Sequence, residues 1–346
     1  MDLSEFVHEY DLDQLEQVTP VGQNFRMWIT PRFRNHYILN NYEKFTSNIV
    51  KNLAHNIDVF IDVGAHYGYY SLLVSQTNPA CQILAYEPSP QNYEILNRNI
   101  ELNRCSNTRS FNQAVSNKKS ITPFFISTAS DNSAFISHPA TPVKESIEVE
   151  TVTLEEIINK SSDKRILIKI DTEGHELKVI EGIEKILSER DNIQLLIEFN
   201  PICMTLDGTT PEALLERISN LGYTSFFLDD KEHFYYQPSD GGVDSWREFM
   251  SESSYLNVLC KKKSTASNFL FFSHSSDLGG AERSLLELIK ELTNEHNSMC
   301  TVILPAHGLL EEHLHQAGAA TLIGSLNWWC ALKTNPDISH APDSYF

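Results

Sequence analysis

The sequence predicts an α/β fold with a mostly parallel β-sheet, followed by a second, partial α/β unit. From residue 58 to residue 229, short apolar runs alternate with segments whose apolar residues recur at helical spacing, a pattern typical of β–α–β units. The last two apolar runs of this part, 223–229 and 255–262, have no long helical pattern between them. Because parallel neighbours need a crossover connection, this closing pair predicts an antiparallel edge strand.

Local signals place the individual elements. Residues 1–56 mix aromatic and polar side chains and are predicted to be a leader with one or two short helices. Helices are predicted at 69–76 and from Glu176, and also from Pro90 and Pro211, where proline occupies the first turn; Ser89 is the expected N-cap of the Pro90 helix. Strands are predicted at 59–64, 81–88, 108–116, 124–127, 147–153, 166–171, 193–199, 223–229 and 255–262.

Charge and hydropathy exclude several classes of function. The chain has 346 residues, with 27 Lys and Arg against 46 Asp and Glu, so its formal net charge is −19. Nucleic-acid binding needs basic patches, which this excess of carboxylates disfavours. No apolar run approaches the roughly 18 residues of a membrane helix, and the acidic N-terminus lacks the pattern of a secretory signal. We therefore expect a cytoplasmic protein with no nucleic-acid partner and no integral membrane segment.

The cysteines do not form a metal-binding or disulfide pattern. None lies in a CxxC pair or in a Cys/His cluster at the spacing of zinc ligands. They are expected to be buried, reduced thiols, and no residue is predicted to be a metal ligand. The six positions are Cys81, Cys105, Cys203, Cys260, Cys300 and Cys330.

A glycine-containing segment, FIDVGAHYGYYS, connects the first strand of the sheet to the following helix. It places Asp62, Gly64 and Gly68 near the carboxyl end of the strand, where ligands of open α/β sheets bind. Gly64 is expected to let the backbone approach a ligand closely. The spacing fails the dinucleotide pattern GxGxxG. It fits (D/E)xGxGxG, a pattern of S-adenosylmethionine (SAM) enzymes, with His66 replacing the middle glycine. A tight strand–helix turn without a ligand is the alternative.

A second carboxylate ends the next strand. Glu87, in AYEPSP, follows the glycine segment by about 20 residues, the spacing at which an acidic side chain can bind the ribose hydroxyls of a nucleotide. A glutamate at a strand end is also common without a ligand. Carboxylates at two successive strand ends are a more specific signal, so Asp62 and Glu87 together predict a nucleoside site.

The segment KIDTEGHE follows a strongly apolar strand and groups Asp171, Glu173 and Glu176 around His175. On a central strand these side chains face the same crevice, where they can orient an ammonium or a substrate hydroxyl. Methyl transfer to a hydroxyl needs in-line alignment and proton removal. The candidate catalytic residues are therefore His175 as a base, Asp171, and Glu198 at the end of the next strand. Alternatively, His175 faces solvent, Glu176 only complements the helix dipole, and Glu198 is structural.

In combination these segments resemble FkbM-type methyltransferases, a class I SAM-dependent family, over roughly residues 45–262. The matching stretches are FIDVGAHYGYYS, AYEPSPQNYEILNRNI, NQAVSN, VTLEEII, ILIKIDTEGHELKVIEGI and LLIEFNP. The resemblance implies a Rossmann-like methyltransferase sheet, SAM as cofactor, and O-methylation of natural products or sugars. His66 stands where the family usually has asparagine. The implied SAM-binding residues are Asp62, Gly64, Ala65, His66, Gly68, Tyr69, Glu87, Pro88, Ser89 and Asp171.

The chain after residue 262 restarts the alternation of strands and helices. Three lysines and a run of small polar residues predict a linker at 263–268. Strands are predicted at 268–273, 299–305 and 320–324, with an apolar helix stripe of Leu285, Leu288, Ile289 and Leu292. In HSSDLGGAERSLLELIKEL and VILPAHGLLEEHLHQAG, this part resembles the beginning of a GT-B glycosyltransferase over roughly 268–330. The predicted domains are thus a leader at 1–56, a methyltransferase domain at 57–262 and an incomplete glycosyltransferase fragment at 269–346.

Three functions remain open on these grounds. The first is a SAM-dependent O-methyltransferase that acts on a small-molecule or glycan acceptor, with a second copy of the chain or a glycosyltransferase as the expected partner. The second is an NAD-type oxidoreductase, which the failed GxGxxG spacing disfavours. The third is a catalytically inactive SAM-fold module that presents glycans to a partner glycosyltransferase, and the same motif residues fit it.

Overall fold

The chain forms two compact units, residues 1–266 and 267–346, and the boundary lies within the predicted linker. Residues 264–267 of that linker and residues 325–346 lie outside the described residues, and so does Cys330. The computed structural model describes residues 12–39, 42–129, 132–137, 141–161, 163–231, 234–238, 242–243, 245–250, 255–263, 268–294 and 298–324.

The described part of the leader contains β1 (Glu16–Val18), β2 (Met27–Ile29), α1 (Arg34–Ile38) and α2 (Lys44–Ala54). The antiparallel pair of β1 and β2 was not predicted. Helix α2 is tied to the main sheet at its first turn, where Asp230 accepts hydrogen bonds from the backbone N–H of Phe45 at 2.7 Å and of Thr46 at 3.0 Å. Since Asp230 directly follows a strand of that sheet, this carboxylate anchors the leader beside the strand ends.

The remaining elements of the first unit largely match the predicted ones, with bounds that shift by a few residues. The predicted strand at 108–116 is two strands, because the chain leaves one sheet after Phe111 and joins another at Ala114. Ser89 is the N-cap of its helix as predicted, since its Oγ accepts from the Asn92 N–H at 3.4 Å. The elements are β3 (Val59–Val63), α3 (Tyr69–Thr77), β4 (Gln82–Tyr86), α4 (Pro90–Leu102), β5 (Thr108–Phe111), β6 (Ala114–Val115), β7 (Ser120–Ser127), β8 (Val143–Val152), α5 (Glu155–Asn159), β9 (Ile166–Ile170), α6 (Glu176–Glu181), α7 (Glu184–Glu189), β10 (Ile193–Phe199), α8 (Pro201–Leu206), α9 (Pro211–Asn220), β11 (Tyr223–Asp229), β12 (Phe234–Tyr236), α10 (Trp246–Phe249) and β13 (Leu256–Lys262).

Eight strands form the main sheet, in the order β12-β11-β13-β10-β9-β3-β4-β5. The five strands from β10 to β5 are mutually parallel, whereas β13 is antiparallel to both β10 and β11. Strand β12 pairs antiparallel with β11 at the edge. The predicted α/β class with an antiparallel edge is therefore confirmed. One detail differs: the last strand, β13, is inserted between β10 and β11.

The direction of the strand order reverses next to β3. From β3 the chain proceeds outward through β4 and β5, and it then returns to the other side of β3 with β9 and β10. The carboxyl ends of the strands at such a switch point form the crevice where open α/β sheets bind ligands. All five residues of β3 and of β9 are buried, as expected for central strands that are covered on both faces. Strands β6, β8 and β7 form a separate small sheet.

The second unit has a three-stranded parallel sheet in the order β14-β15-β16. The predicted apolar stripe on its first helix is partly wrong. Leu286 and Ile289 are buried in the core of this unit, while Leu288 is 47% exposed, so the buried face is displaced toward Leu286. The elements are β14 (Asn268–Phe272), α11 (Gly280–Asn294), β15 (Met299–Leu304), α12 (Leu309–Gln316) and β16 (Ala320–Ile323).

The cysteines and the apolar helices are the two features about which composition makes a prediction. The five cysteines among the described residues are buried, as predicted. Within the same residues, no helix combines the length and apolar character needed to cross a membrane.

Candidate active site

A cavity lies at the carboxyl ends of the parallel strands, on both sides of the switch point. Glu87 after β4 and Asp171 after β9 are part of its lining, and so is Glu198 near the end of β10. Tyr37 and Tyr42 from the leader also line it. The strand-end carboxylates that the sequence predicts to share one crevice therefore do so.

The loop after β3 packs directly against the end of β9. Gly64 has φ 77°, and a Cβ atom added there would lie 1.8 Å from the carbonyl oxygen of Asp171. The N–H groups of Gly64 and Ala65 donate to the Tyr86 carbonyl at 3.0 and 2.9 Å, and the Asp171 N–H donates to the Val63 carbonyl at 3.0 Å. Gly64 also lines both cavities, so the expectation that its backbone approaches a ligand closely stays a prediction. Glycine is needed because two strand ends meet here.

The other two positions of the glycine pattern also have left-handed backbones. His66 has φ 50° and Gly68 has φ 87°. Asparagine, aspartate and histidine are the side chains most often found in this region, which explains why histidine can replace the middle glycine. A Cβ atom at Gly68 would lie 2.5 Å from Cδ1 of Leu96 on α4. Gly68 thus permits helix packing and is not among the residues that line the cavity.

Glu87 joins the loops that follow β3 and β4. Its Oε2 accepts the His66 N–H at 2.8 Å, and its Oε1 accepts the Ser89 N–H at 2.9 Å and Nδ2 of Asn92 at 3.4 Å. The residue is 5% exposed, and burial raises the pKa of Glu87 to about 7 although these hydrogen bonds lower it. A carboxylate has about four acceptor sites, so Oε2 keeps one for a ligand in the cavity. Pro88 also lines the cavity, whereas Ser89 is buried behind it.

A buried lysine that the sequence analysis did not identify connects Asp62 with Asp171. Lys169 pairs in register with Asp62 on β3, and residues 169 and 171 project to the same face because side chains alternate along a strand. Its Nζ donates to Oδ2 of Asp171 at 2.5 Å. Burial lowers the pKa of Lys169, but the charges of Asp171, Asp62 and Glu43 outweigh it and raise the pKa overall. The signal was present, since ILIKID places a lysine within an apolar strand.

Several of the implied SAM-binding residues line a second, smaller cavity. Asp62, Ala65 and Tyr69 take part in its lining together with Lys169, and Asp171 lines both cavities. Asp62 is buried and accepts from the Ser71 hydroxyl at 2.6 Å. Burial raises the pKa of Asp62, while Lys169 and Ser71 act to lower it. The smaller cavity is thus polar, with the carboxylates of Asp62 and Asp171 in its lining, and it meets the larger cavity at Asp171, directly after β9.

Three carboxylates converge at the ends of β9 and β10. Because Ile170 pairs with Ile197, the next residues, Asp171 and Glu198, are neighbours across the two strands. One oxygen from each of Asp171, Glu173 and Glu198 lies within 4.8 Å of the others. Burial, followed by the charges of Asp171 and Glu173, raises the pKa of Glu198 well above its ordinary value. No metal ligand was predicted from the sequence. These three neighbouring carboxylates nevertheless have the composition of a cation site.

Glu176 lies behind this group and holds the loop between β9 and α6. Its Oε1 accepts three hydrogen bonds at 3.0 Å, from the N–H and the hydroxyl of Thr172 and from the N–H of Gly174. It is fully buried. Burial raises the pKa of Glu176 to about 7, although the loop hydrogen bonds lower it. Glu176 is a first-turn residue as expected, and it also fixes the loop that carries Glu173.

The raised pKa of Glu176 predicts a pH dependence of stability. Between pH 4.5, the ordinary pKa of a glutamate, and pH 7, the folded chain retains a proton on Glu176 that the unfolded chain has lost. The stability that the protonated side chain contributes is therefore fully present below pH 4.5 and is lost as the pH rises through 7. Glu176→Gln does not lose this stability, because glutamine does not ionise. We expect the free energy of unfolding of Glu176→Gln minus that of the unaltered chain to increase by on the order of 2 kcal/mol from pH 5 to pH 8. Urea unfolding measures it, with the exposed Glu181→Gln on the same helix as control; a pH-independent difference for Glu176→Gln would contradict the assignment.

His175 is not brought to the cavity. Its Nε2 lies 2.9 Å from the Ser116 hydroxyl and its Nδ1 lies 2.9 Å from Oδ2 of Asp207. The residue is 6% exposed, so the alternative of a solvent-facing side chain is wrong. Its ring also packs against Phe135, with ring centroids 4.2 Å apart, and Phe135 lines the cavity. With both ring nitrogens engaged, the geometry does not favour the predicted role of His175 as the base.

Aromatic residues that the sequence analysis did not assign to the site form much of the cavity wall. Phe33, Tyr37 and Tyr42 come from the leader, and Phe124 comes from the small sheet. The hydroxyl of Tyr70 donates to Glu43, which lies between α1 and α2. The available signal was the density of aromatic residues in 25–45, which indicated packing without revealing what it covers.

The fold and the site together define a class: an α/β protein whose acidic ligand site lies at the switch point of a mostly parallel sheet. Residues 62–225 match the family model described as "Methyltransferase FkbM domain". This match confirms the predicted resemblance for that part of the chain, from Asp62 in β3 to Ser225 in β11.

Two curated relatives bear the name methyltransferase. "Methyltransferase sdnD" of Sordaria araneosa is 24% identical over 39% of this chain and 64% of its own length. "Methyltransferase 1" of Beauveria bassiana (strain ARSEF 2860) is 25% identical over 36% of this chain and 57% of its own length. The chain thus spans about three fifths of the length of these relatives.

Solved structures that resemble the chain include a precorrin-6y C5,15-methyltransferase from Geobacter metallireducens GS-15, with a TM-score of 0.35 and 13% identity over 64% of this chain and 88% of that one. Another is a methyltransferase from Streptococcus mutans in complex with SAH, with a TM-score of 0.36 and 12% identity over 63% of this chain and 96% of that one.

Proposed function

We propose that the first unit is a SAM-dependent O-methyltransferase that acts on a hydroxyl of a sugar, a glycan or a related natural product. The observation that carries this proposal is the position of Glu87. Its buried carboxylate retains an acceptor site at a cavity whose other end contains Asp171, Glu173 and Glu198. A nucleoside-binding acid and a proton-accepting group therefore share one cavity, within a segment that matches the FkbM domain.

The cofactor fits these residues in one direction. When SAM is bound, Oε2 of Glu87 would accept a ribose hydroxyl and Pro88 would lie beside the adenine. Asp62 and Asp171, which line the smaller cavity, would hold the ammonium group of its methionine portion. Ser89 and Gly68 act indirectly, since the Ser89 N–H orients Glu87 and Gly68 allows α4 to pack against the loop.

The three carboxylates would serve the acceptor side of the reaction. SAM would supply its methyl group to the acceptor oxygen, with the electron pair of the broken carbon–sulfur bond left on sulfur, and the hydroxyl proton would pass to a carboxylate. Glu198 is the base that we assign, because it lines the cavity and its raised pKa makes its ionised form a stronger base than an exposed carboxylate. His175 is a positioning residue in this assignment, through its contact with Phe135.

Calorimetry and mass spectrometry test this function. We expect the full chain to bind SAM and S-adenosylhomocysteine (SAH) at one site and not to bind NAD. Incubation with SAM and candidate glycans should yield products heavier by one CH₂ group. Binding of NAD in place of SAM would contradict the proposal. Tight SAM binding without a methylated product from any hydroxyl acceptor would favour the inactive binding module.

The second unit supports only the glycan part of this proposal. We propose that residues 269–346 correspond to the N-terminal part of a GT-B glycosyltransferase, on the basis of the HSSDLGGAERSLLELIKEL resemblance, and that this part does not transfer sugar by itself. A cytoplasmic location and a homo-oligomer or glycosyltransferase partner belong to the same proposal. Sugar transfer by the full chain from a nucleotide-sugar donor would contradict it.

A further inference from the structure

The acidic group at the ends of β9 and β10 has the spacing of a cation site. Asp171, Glu173 and Glu198 each present one carboxylate oxygen, and the three oxygens lie within 4.8 Å of one another. Two oxygens that bind one Ca²⁺ at 2.3–2.6 Å are at most about 5 Å apart. The three carboxylates can therefore share one ion, and a small contraction of the group would suit Mg²⁺ or Mn²⁺.

A second observation points to a ligand at this place. Glu198 is 7% exposed, and its Oε2 has no hydrogen-bond partner among the residues that the structure describes. Glu198 also lines the large cavity. A buried carboxylate oxygen without a partner carries a large desolvation cost. A bound cation supplies the missing partner from within the cavity.

The protein's own cations do not balance this group. Lys169 is the one lysine or arginine among the described residues that line the two cavities. Its Nζ is held by Asp171 at 2.5 Å and lies 5.0 Å from the centre of the Tyr70 ring. One ammonium group thus faces three carboxylates, so the remaining negative charge favours a cation of higher charge.

We propose that Asp171, Glu173 and Glu198 bind a divalent cation of the hard class that prefers oxygen ligands, such as Mg²⁺, Mn²⁺ or Ca²⁺. The site itself does not depend on the proposed methyl transfer, but its role does. The ion would bind the acceptor hydroxyl and orient its oxygen toward the methyl group. Each ligand keeps a second carboxylate oxygen. The hydroxyl proton moves to that oxygen of Glu198 while the carbon–oxygen bond forms and the carbon–sulfur bond breaks.

The test uses Mn²⁺ and the full chain. After treatment with EDTA and its removal, the protein is titrated with MnCl₂, and free Mn²⁺ is measured by its paramagnetic resonance signal. We expect one saturable site, competition by Mg²⁺ or Ca²⁺, and at least tenfold weaker binding in Glu198→Gln. Glu176→Gln is the matched control, because Glu176 is also a buried acid next to the group but is not one of its three members, and glutamine retains the Oε1 that accepts the loop hydrogen bonds. Its affinity should stay within about threefold of the unaltered chain, a change of roughly 0.6 kcal/mol or less.

Circular dichroism of each variant verifies the fold, and SAH titration is a separate readout. No saturable Mn²⁺ binding, equal binding in Glu198→Gln, or equal losses in both variants would overturn the cation site; the last would indicate general attraction by negative charge. Mn²⁺ binding without SAH binding would refute the proposed function and leave the cation site standing. SAH binding without Mn²⁺ binding would refute the cation site and leave the proposed function standing.

Discussion

Replacement of Gly64 by alanine should destabilise the first unit by about 4 kcal/mol or more, a large part of the 5–15 kcal/mol that holds a typical domain together. The new Cβ atom would lie 1.8 Å from the Asp171 carbonyl oxygen, in a backbone with φ 77°. Neither atom can move without separating β3 from β9, which pair along their length. Hydrogen exchange of peptides from these two strands measures the effect.

Gly208→Ala is the matched control for this prediction. Gly208 has the same φ of 77°, but nothing lies within 4 Å of an added Cβ atom. Its substitution should therefore cost only the left-handed backbone penalty of about 1–2 kcal/mol. If Gly64→Ala and Gly208→Ala reduce the protection of β3 and β9 against hydrogen exchange equally, the close approach of Gly64 to Asp171 does not determine stability. A Gly64→Ala chain of native stability would contradict the prediction, and loss of SAM binding in such a chain would indicate that Gly64 acts through ligand contact alone.

Glu87→Ala should weaken SAM binding by about 10- to 150-fold. The side chain supplies one charge-assisted hydrogen bond to ribose, worth roughly 1.5–3 kcal/mol, and each 1.4 kcal/mol corresponds to about a factor of ten in Kd. It also holds the loops at His66 and Ser89, so the true loss lies toward the upper end. Titration calorimetry with SAM measures the change.

Two comparisons make this result specific. Glu94→Ala removes an exposed carboxylate from α4, the helix that follows Glu87, where it pairs with Arg98 at 3.1 Å, and should leave SAM affinity unchanged. The unaltered chain should also bind SAH better than a deoxyribose analogue, and Glu87→Ala should lose that discrimination. Equal SAM affinity in Glu87→Ala would show that another residue binds the ribose.

The sheet and one half of the site could be predicted because both depend on local patterns. Apolar runs at 59–64, 166–171 and 193–199 identified the central strands, and the ends of parallel strands must meet at one edge. That rule alone brings Glu87 and Asp171 to one cavity. The insertion of β13 between β10 and β11 has no such signal, since strand order depends on contacts between residues far apart in the chain.

Two other features of the site depend on what surrounds a residue in space. His175 lies among charged residues in the sequence, but Ser116 and Asp207, which engage its ring, are 59 and 32 residues away along the chain. Gly64 has the same φ in the structure as Gly208. Only the tertiary packing shows that Asp171 occupies the space at Gly64 and that no atom does at Gly208.

A crystal structure of the chain with SAH would show whether the cavity at the ends of β3, β4 and β9 binds the cofactor. The proposal predicts that a ribose hydroxyl lies within hydrogen-bond distance of Oε2 of Glu87 and that the adenine lies beside Pro88. The sulfur should face Asp171, Glu173 and Glu198. SAH bound away from the ends of β3, β4 and β9, or bound there with its ribose hydroxyls directed away from Glu87, would contradict the assignment of this cavity as the methyl-transfer site.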